Sequence, residues 1–479
     1  MSRKTRPFAF YDTTIGLCST CLAKAEAKIV FQDEKVWMHK FCVSHGQQKV
    51  LISDDIDYFR LVRERFITQP EMPERFHSPV RFGCPYDCGL CADHMQHSCL
   101  TLVELTDRCN LDCPICYAGS GTQRQTSRSL QQIKDLLDQV VRHEGEPDVV
   151  QLSGGEPTLH ADLFAVLDYA KTLPIRHLML NTNGLKIAQD AAFAERLASY
   201  MPGFELYLQF DGLREEDYRT LRGANLLKTK LKALEHLNQR NLSTTLVVTL
   251  KKGLNDDQCG AIIDFALQQP CVRGVTFQPI QAAGRTQNYA ATENRLTLSE
   301  VRRRILEQQT HFGQQDLIPV PCNPDCLAMA YGLKKNNQLH PISKWVDPLD
   351  LVMRRPNSIT FERDPELVNG LANLFSTGAG ESRQVSTFKA LLCCLPLVPK
   401  PAALKYENVF RVLIMQFLDA DSFEVRTAKK SCVHIAGEDG QMIPFDTFNL
   451  FYREPEQRAQ LATLQSNMNP GADDYGRPV

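Results

Sequence analysis

The chain has 479 residues, of which 43% are hydrophobic and 23% are charged, and its formal net charge is −2. This composition is ordinary for a globular protein of several domains. The balanced charge excludes the basic excess of a nucleic-acid-binding surface, and no apolar run approaches the roughly 20 residues that cross a bilayer. Because the N-terminus also lacks the apolar core of a signal peptide, we expect a cytoplasmic protein with at most peripheral membrane contact.

Cysteine usage is the first functional signal in the sequence. The chain has 17 cysteines, and ten of them precede residue 117. The cytoplasm keeps thiols reduced, so this abundance indicates ligation of metal ions or iron–sulfur clusters. A disulfide framework is the alternative, and the size of the chain argues against it.

Residues 1–55 form the first predicted unit, a small metal-binding module. Cys18 and Cys21 make a Cys-x2-Cys knuckle, and Cys42 and His45 follow in "CVSH". The stretch between them, "AKIVFQDEKVWMHK", alternates apolar and polar residues and predicts a short hairpin. Four such ligands suit tetrahedral zinc or a rubredoxin-like mononuclear iron, which would stabilise so small a unit. A pair of unrelated surface thiols is the alternative.

Residues 56–98 are predicted to be a linker that carries a cysteine motif. The spacing Cys-x3-Cys-x2-Cys occurs twice, at Cys84, Cys88 and Cys91 and again at Cys109, Cys113 and Cys116. Three cysteines with this spacing can bind three irons of a four-iron cluster and leave the fourth iron open. The position of each triplet in the fold decides which of them carries the chemistry.

Residues 99–290 alternate strand-like and helix-like segments. The six β-rich runs are "CLTLVEL", "PDVVQLS", "RHLMLNT", "FELYLQF", "STTLVVTL" and "GVTFQPI", and amphipathic segments such as "LQQIKDLLDQVVRH" separate them. This alternation predicts a parallel sheet with right-handed crossovers. We therefore predict an α/β fold with a partial (β/α)6 barrel of the TIM type.

Polar and glycine-rich motifs follow these strands, at the end where a parallel barrel carries its reactive groups. Cys109 comes directly after the first strand, "SGGEP" after the second, "NTNG" after the third, "QFDG" after the fourth and "QPIQAAGR" after the sixth. All would line one mouth of the barrel. The first cysteine triplet precedes every barrel strand, so we predict that the second triplet is the working one. A zinc knuckle is the alternative for that loop.

Residues 291–455 are predicted to be a C-terminal α+β region. It contains a helix candidate, "RLTLSEVRRRILEQQTHF", and the turn "PCNPDC" with Cys322 and Cys326. Two strand-like segments follow, "NVFRVLIMQFLDA" and "KKSCVHIAGEDGQMIPF". Residues 456–479 are polar and end in Asn, Pro, Gly and Asp, so we expect a disordered tail there.

The second cysteine triplet, with Tyr117 directly after it and "SGGEP" downstream, resembles the radical S-adenosylmethionine (radical SAM) enzymes. The resemblance implies that Cys109, Cys113 and Cys116 hold a catalytic [4Fe–4S] cluster whose open iron chelates the methionine end of S-adenosylmethionine. Reductive cleavage of that cofactor gives a 5′-deoxyadenosyl radical. An external donor such as a flavodoxin or ferredoxin would supply the electron.

The same resemblance assigns residues that bind the cofactor. Gly154, Gly155 and Glu156 would form the edge that binds the amino group of S-adenosylmethionine, because glycines let the backbone approach closely. The other members of this set would lie near the cluster, the ribose, the adenine or the carboxylate, and they are Tyr117, Asn183, Gln209, Asp211, Gly284 and Arg285.

Motifs beyond the barrel resemble one radical SAM subfamily, which contains archaeal tetraether lipid synthases and enzymes that methylate a pterin precursor. The ordered set runs from the first knuckle through "GCPYDCGLC", "TDRCNLDCPICYA", "PCNPDC" and "CCLP" to "CVHIAGEDGQMIPF". The resemblance implies one or two auxiliary [4Fe–4S] clusters. Zinc completed by His94 or His97 is the alternative at the first of them. The implied ligands of that first auxiliary cluster are Cys84, Cys88 and Cys91, with Cys322 or Cys326 as the fourth.

The resemblance assigns Cys393, Cys394 and Cys432 to the second auxiliary cluster. Buried cysteines in an apolar segment are the alternative reading of "KALLCCLPL". The subfamily pattern places a cysteine after "IPF", whereas this chain has Asp446, which we expect beside Cys432 after a hairpin turn at 438–440. The cysteines without matching partners are expected to be structural or incidental, and they are Cys99, Cys259 and Cys271.

These features predict a radical SAM enzyme that abstracts hydrogen from an unactivated carbon and forms a carbon–carbon bond there, on a lipid-like substrate. Methyl transfer to a pterin-like small molecule is the alternative. An iron–sulfur protein that passes electrons to a partner is the non-enzymatic alternative, but such a carrier needs no edge for the methionine end of a cofactor. A long apolar cavity at the barrel mouth would favour the lipid.

Overall fold

The computed structural model describes residues 4–67, 69–335, 338–344, 408–437 and 439–468. The N-terminal unit consists of four strands and a helix, namely β1 (Ala9–Leu17), β2 (Lys24–Gln32), β3 (Lys35–Cys42), β4 (Gly46–Ser53) and α1 (Ile56–Glu64). The strands form one antiparallel sheet in chain order, and alternate residues such as Ile29 and Met38 are buried. The hairpin predicted between the two ligand pairs is confirmed as β2 and β3.

Six parallel strands form the centre of a second sheet, and they coincide with the six β-rich runs of the sequence. These strands and one short intervening strand are β5 (Leu100–Thr106), β6 (Ile115–Cys116), β7 (Val149–Gly154), β8 (His177–Thr182), β9 (Phe204–Gln209), β10 (Thr244–Leu250) and β11 (Val272–Pro279). Strands β5 and β7 to β11 pair in chain order, and all of these pairs are parallel. The predicted α/β fold with a partial barrel is confirmed.

Helices connect the barrel strands, and local sequence sets their ends. Ser129 and Gln132 cap each other's backbone N–H groups where the first of them begins, and Gly145, with a φ of +69°, ends it. No helix among the described residues is both long and apolar enough to span a membrane. The connecting helices are α2 (Leu130–Glu144), α3 (Leu163–Ala170), α4 (Leu185–Gln189), α5 (Ala191–Ala198), α6 (Glu215–Arg222), α7 (Leu227–Arg240) and α8 (Cys259–Gln268), with a 3-10 turn at Pro157–Leu159.

The C-terminal region adds strands to both edges of the barrel sheet. Its elements are β12 (Arg285–Thr286), α9 (Ala291–Asn294), α10 (Leu298–Gln308), β13 (Ile318–Pro319), β14 (Leu327–Lys335), β15 (Gln338–Pro341), a 3-10 turn (Ile342–Lys344), β16 (Val409–Met415), α11 (Val425–Ala428), β17 (Val433–Ala436), β18 (Met442–Pro444), α12 (Phe445–Thr447), a π turn (Phe448–Tyr452) and α13 (Pro455–Met468). Strand β16 pairs in parallel with β11, and β17 pairs in parallel with β5. The region therefore extends the six-stranded sheet on either side.

The last described element differs from the sequence prediction. Residues 456–479 were expected to be disordered from their polarity, yet residues 455–468 form helix α13. Gln465 Nε2 donates to the Tyr86 carbonyl at 2.8 Å, and Leu461 is buried. These contacts join segments far apart in the chain, so composition alone does not show them. The remainder of the predicted tail lies outside the described residues.

Candidate active site

A cavity of about 180 Å³ lies at the carboxyl ends of the barrel strands and extends between them. Most of the residues assigned to the catalytic cluster and its cofactor line it. They are Cys109, Cys113, Cys116, Tyr117, Gly154, Gly155, Glu156, Asn183 and Gln209. Asp211, Gly284 and Arg285 stand behind this wall and act on it through other residues.

The second cysteine triplet lies on the loop after β5, as its position in the sequence predicts. The Cys109 N–H donates to the Gly121 carbonyl at 3.1 Å, and Cys116 belongs to the short strand β6. Burial raises the pKa of the Cys109 thiol to about 12. A buried thiol of this kind ionises when a cation binds it, because the cation's charge replaces the lost hydration. Three such thiols facing one cavity fit a cluster with an open iron.

The glycines of "SGGEP" pack against this loop. The Gly155 N–H donates to the Thr106 carbonyl at 2.7 Å, and a Cβ on Gly155 would lie 2.3 Å from the Arg108 carbonyl oxygen. Gly154 has a φ of +125°, which side chains disfavour. The backbone at the end of β7 therefore lies directly against the backbone of the cysteine loop. Gly154 and Gly155, at this end of the strand, also line the cavity.

Glu156 joins the ends of two strands. Its Oε1 accepts hydrogen bonds from Thr158 N–H at 3.1 Å and from Thr182 Oγ1 at 2.8 Å, and its Oε2 accepts one from Asn183 N–H at 2.7 Å. The side chain is 1% exposed. These bonds hold "NTNG" next to "SGGEP", so the structure gives the Glu156 carboxylate a positioning role, and the backbone of the motif presents the edge.

A buried ion pair stands beside the cysteine loop, where the charge of Arg222 acts on Cys113 and Cys116. Arg222 donates to Asp211 through Nε at 2.7 Å and through Nη2 at 2.5 Å, and Asp211 is fully buried. Burial opposes the charge of Arg222, but Asp211 outweighs it and raises the pKa of the guanidinium further. Arg222 lines the cavity. The sequence analysis missed it, because no motif marks an arginine eleven residues after the buried aspartate.

Gly284 and Arg285 support the cysteine loop from outside the cavity. Arg285 donates through Nε to the Cys113 carbonyl at 2.5 Å and through Nη2 to the Ser120 carbonyl at 2.7 Å. A Cβ on Gly284 would lie 2.2 Å from the Tyr117 carbonyl oxygen. The resemblance placed these residues near adenine or a carboxylate, and in the structure their contacts go to the loop that carries the thiols.

The hairpin predicted before Asp446 is confirmed, because β17 and β18 pair with His434 opposite Pro444. Asp446 is buried and lines the cavity. Its Oδ1 accepts a hydrogen bond from the Leu418 N–H at 2.6 Å. Cys393 and Cys394, which were predicted beside it, lie outside the described residues.

The N-terminal ligands come together as predicted. The donor atoms of Cys18, Cys21, Cys42 and His45 all lie within 4.8 Å of one another. His45 Nδ1 is 3.5 Å from the Cys18 sulfur and 3.6 Å from the Cys42 sulfur. Burial acts against ionisation, but backbone N–H groups and the neighbouring thiols outweigh it and lower the pKa of Cys18 to about 6. This set of donors fits one tetrahedral metal ion.

A second group of thiols corrects two assignments. Cys99, Cys322 and Cys432 are all buried, and their sulfurs lie within 4.8 Å of one another. Cys99 and Cys432 are neighbours because each precedes a strand of the parallel pair β5 and β17, and the Cys322 sulfur is 3.2 Å from that of Cys432. Cys99 is therefore not an isolated cysteine. Cys322, which with Cys326 was one of two candidates for the fourth ligand of the Cys84 triplet, lies in this group.

The first cysteine triplet and Cys326 are not members of that group, although Cys326 is close enough to act on the charge of Cys432. Cys88 is buried, and its sulfur accepts a hydrogen bond from Thr447 Oγ1 at 2.9 Å. Burial raises the pKa of Cys91. Cys326 is also buried, and its backbone carbonyl accepts from the Gln416 N–H. The predicted cluster at Cys84, Cys88 and Cys91 remains a prediction.

Comparison with known protein families assigns two parts of the chain. Residues 103–266 match the radical SAM superfamily. Residues 10–54 match the HMPTM N-terminal zinc ribbon domain. The first match includes the cysteine loop and the "SGGEP" edge, and the second includes all four ligands of the N-terminal module.

Individual proteins are similar over different lengths. A 7,8-dihydro-6-hydroxymethylpterin dimethyltransferase of Methanocaldococcus jannaschii is 29% identical over 482 residues, which is 92% of this chain and 94% of that protein. The mycofactocin maturase MftC of Mycolicibacterium smegmatis is 30% identical over 160 residues, which is 33% of this chain and 39% of that protein. The crystal structure of Streptococcus suis SuiB bound to S-adenosylmethionine has a TM-score of 0.36 and 18% identity, over 43% of this chain and 46% of that chain.

Proposed function

We propose that this chain, which belongs to the radical SAM superfamily, transfers a one-carbon unit to a carbon of a pterin-like small molecule. The similarity to a pterin dimethyltransferase extends over nearly the full length of both proteins, so it includes the regions outside the barrel that shape a substrate site. The sequence analysis preferred a lipid-like substrate. The comparisons give that preference no support, and they favour its small-molecule alternative.

The observation that carries the proposal is the lining of the cavity. Polar side chains on successive barrel strands, including Gln151, Asn181, Tyr207 and Gln278, line it together with apolar ones such as Leu102, Val247 and Met415, a mixture that suits a planar ring with polar edges. Gln278 Nε2 donates to the Tyr207 hydroxyl at 3.2 Å. An alkyl chain offers no partner to such groups, and burying them against it would cost free energy. A heteroaromatic ring with several donors and acceptors satisfies them.

Different residues of the site would bind the cluster and S-adenosylmethionine. The three thiols of the cysteine loop would hold a four-iron cluster, and the "SGGEP" edge would hold S-adenosylmethionine beside it. With both bound, the site supplies a 5′-deoxyadenosyl radical. Arg285 and Glu156 keep the loop and the edge in register through the hydrogen bonds described above. The surrounding strands exclude water from the cavity, which protects a reactive carbon centre.

We further propose that the electron comes from a flavodoxin or ferredoxin in the cytoplasm. Radical SAM enzymes depend on an external reductant, and these small carriers supply low-potential electrons. The chain's thiols at three separate places need a reducing compartment to remain available as ligands.

The test is a turnover assay on anaerobically reconstituted full-length protein. With dithionite, S-adenosylmethionine and 7,8-dihydro-6-hydroxymethylpterin, we expect a product whose mass is higher by one or two methyl substitutions, seen by mass spectrometry. For each methyl group, one S-adenosylmethionine removes the ring hydrogen as 5′-deoxyadenosine, a second gives up its methyl group and leaves as S-adenosylhomocysteine, and dithionite supplies the electrons. The matched control is Cys113→Ala protein prepared in the same way. No pterin product from active wild-type enzyme, together with modification of added glycerolipids, would refute the proposal in favour of the lipid.

We also propose a metal centre at Cys99, Cys322 and Cys432. Their mutual separations suit shared ligation, and burial keeps the thiols from solvent oxidants. Leu100 and Val433, which directly follow two of these cysteines, line the cavity. A centre there would stand immediately behind the substrate wall.

Metal analysis tests this second centre. We expect Cys99→Ser to lower the metal content per chain by one centre, as Cys432→Ser does, because each removes one of three ligands at the same place. Plasma mass spectrometry on anaerobically purified protein gives the measurement. Cys259→Ser is the control, since Cys259 is buried in the apolar core. Full metal content in both test variants would show that these thiols are structural.

A further inference from the structure

The wall of the cavity next to Tyr117, at the end of the cysteine loop, carries a carboxyl group with an unused oxygen. Asp446 is 3% exposed and lines the cavity. Its Oδ1 accepts the Leu418 N–H at 2.6 Å, and no other described residue donates a hydrogen bond to its Oδ2. Because Asp446 lines the cavity and no donor to its Oδ2 is found among the described residues, this oxygen can accept a hydrogen bond from a group on the ligand.

An aromatic surface lies directly beside this carboxyl. Phe445, the residue before Asp446, packs on Phe417 with ring centroids 4.0 Å apart and planes inclined by 31°. Tyr117 meets Phe445 edge-on, with centroids 5.0 Å apart. All three rings line the cavity. A flat heteroaromatic ring resting on them would turn one of its edges toward Asp446.

We propose that Asp446 binds the edge of the substrate ring that carries two adjacent N–H donors, the 2-amino group and N3–H of a 2-amino-4-oxo pyrimidine ring. This inference rests on the proposed function and specifies which part of the substrate the chain recognises. The 2-amino group would donate to the free Oδ2, and N3–H would donate to the remaining lone pair of Oδ1, the oxygen that also accepts the Leu418 N–H. The rest of the ring then lies between the aromatic surface and the polar side chains of the barrel strands.

Among the described residues, no cation is found to act on the Asp446 carboxyl. Asp419, an acidic group that acts on it, is paired with Arg295 at 2.8 Å, and the charge of Asp446 also acts on the buried Cys326 thiol. Thr447, next along the chain, donates instead to the Cys88 sulfur. The Leu418 N–H fixes the plane of the carboxyl and directs its second oxygen to the cavity. The Asp446 side chain therefore acts as a specificity-determining group.

A single substitution should reverse the preference of the site for a 2-amino pterin over its 2-oxo analogue. In Asp446→Asn, the amide oxygen can keep the bond from the Leu418 N–H while the amide NH2 becomes a donor toward the cavity. A donor there repels the 2-amino group and pairs with the oxygen of a 2-oxo analogue. Asp446→Asn is therefore expected to bind the 2-amino pterin about ten- to a hundredfold more weakly than wild type and to prefer its 2-oxo analogue.

The experiment measures binding and turnover of both dihydropterins with full-length wild-type and Asp446→Asn enzymes, reconstituted side by side. Asp439→Asn, at the tip of the β17–β18 hairpin, is the matched control and should behave as wild type. The metal content of Asp446→Asn should equal that of wild type. This readout separates loss of recognition from loss of a metal centre.

Each result decides the question. A reversed preference in Asp446→Asn supports the inference. An equal preference in the two proteins, or loss of metal from Asp446→Asn, overturns it, and metal loss would identify Asp446 as a ligand. If the variant does not fold, the wild type still decides, because wild type that accepts the 2-oxo analogue as well as the 2-amino pterin overturns the inference. Wild type that acts on neither pterin overturns the proposed function itself.

Discussion

Replacing Cys113 by alanine should abolish formation of 5′-deoxyadenosine. Cys113 is 7% exposed and lines the cavity next to the "SGGEP" edge, and its carbonyl accepts a hydrogen bond from Arg285. Alanine leaves that backbone contact in place and removes one of three thiols. Two thiols cannot hold the cluster with one open iron. The amount of 5′-deoxyadenosine should therefore fall to the level found in a reaction without enzyme. Liquid chromatography of dithionite-reduced reactions gives the measurement.

The control for this prediction is Cys271→Ala. Cys271 is fully buried in the barrel core and does not line the cavity, so its removal costs packing without touching the cysteine loop. The Cys271→Ala enzyme should cleave S-adenosylmethionine at a rate close to that of wild type. Persistent 5′-deoxyadenosine from Cys113→Ala would move the catalytic cluster to another triplet, and Cys88→Ala would then be the variant that loses it.

A second large effect is expected from Glu205→Gln, on stability. Glu205 is fully buried, and Arg411 Nη2 donates to its two oxygens at 2.9 and 3.0 Å, while His177 Nε2 lies 3.1 Å away. These residues stand on β9, β16 and β8, so the carboxylate links the added edge strand to the barrel. Glutamine keeps the shape but removes the negative charge that Arg411 and His177 face, which should lower the free energy of unfolding by about 3–5 kcal/mol. Urea unfolding followed by circular dichroism measures it.

Lowering the pH should reduce the difference in the free energy of unfolding between wild type and Glu205→Gln. Burial opposes the ionisation of Glu205, but Arg411 and His177 outweigh it and hold the pKa of Glu205 well below its usual range. The stabilisation is therefore complete above the ordinary pKa of a carboxyl group and is lost as the pH falls below it. The gap between wild type and Glu205→Gln should narrow in acid. Glu215→Gln, which breaks an exposed pair with Arg219, should cost no more than about 0.5 kcal/mol. Equal effects of the two substitutions would contradict the prediction.

The sequence by itself determined the barrel and predicted which cysteine loop lies at its mouth. Apolar β-rich runs separated by helix-forming segments permit few arrangements other than a parallel sheet, because each strand must be buried on both faces. Since reactive groups collect at the carboxyl ends of such strands, the loop that carries Cys113 could be chosen over the earlier triplet with the same spacing. The N-terminal ligands could also be predicted from the sequence, because a hairpin brings the Cys18–Cys21 pair next to the Cys42–His45 pair.

The tertiary structure alone decided which distant residues meet. Cys99 precedes one strand and Cys432 another, and they are neighbours only because β5 and β17 pair in that register. Asp211 was predicted to face the cofactor, and it turned toward Arg222 because a fully buried carboxylate needs a cation to offset its lost hydration. Asp446 entered the cavity because a hairpin and the Leu418 N–H fix it there. Such contacts depend on sheet register and loop closure over hundreds of residues, and no local pattern of residues encodes them.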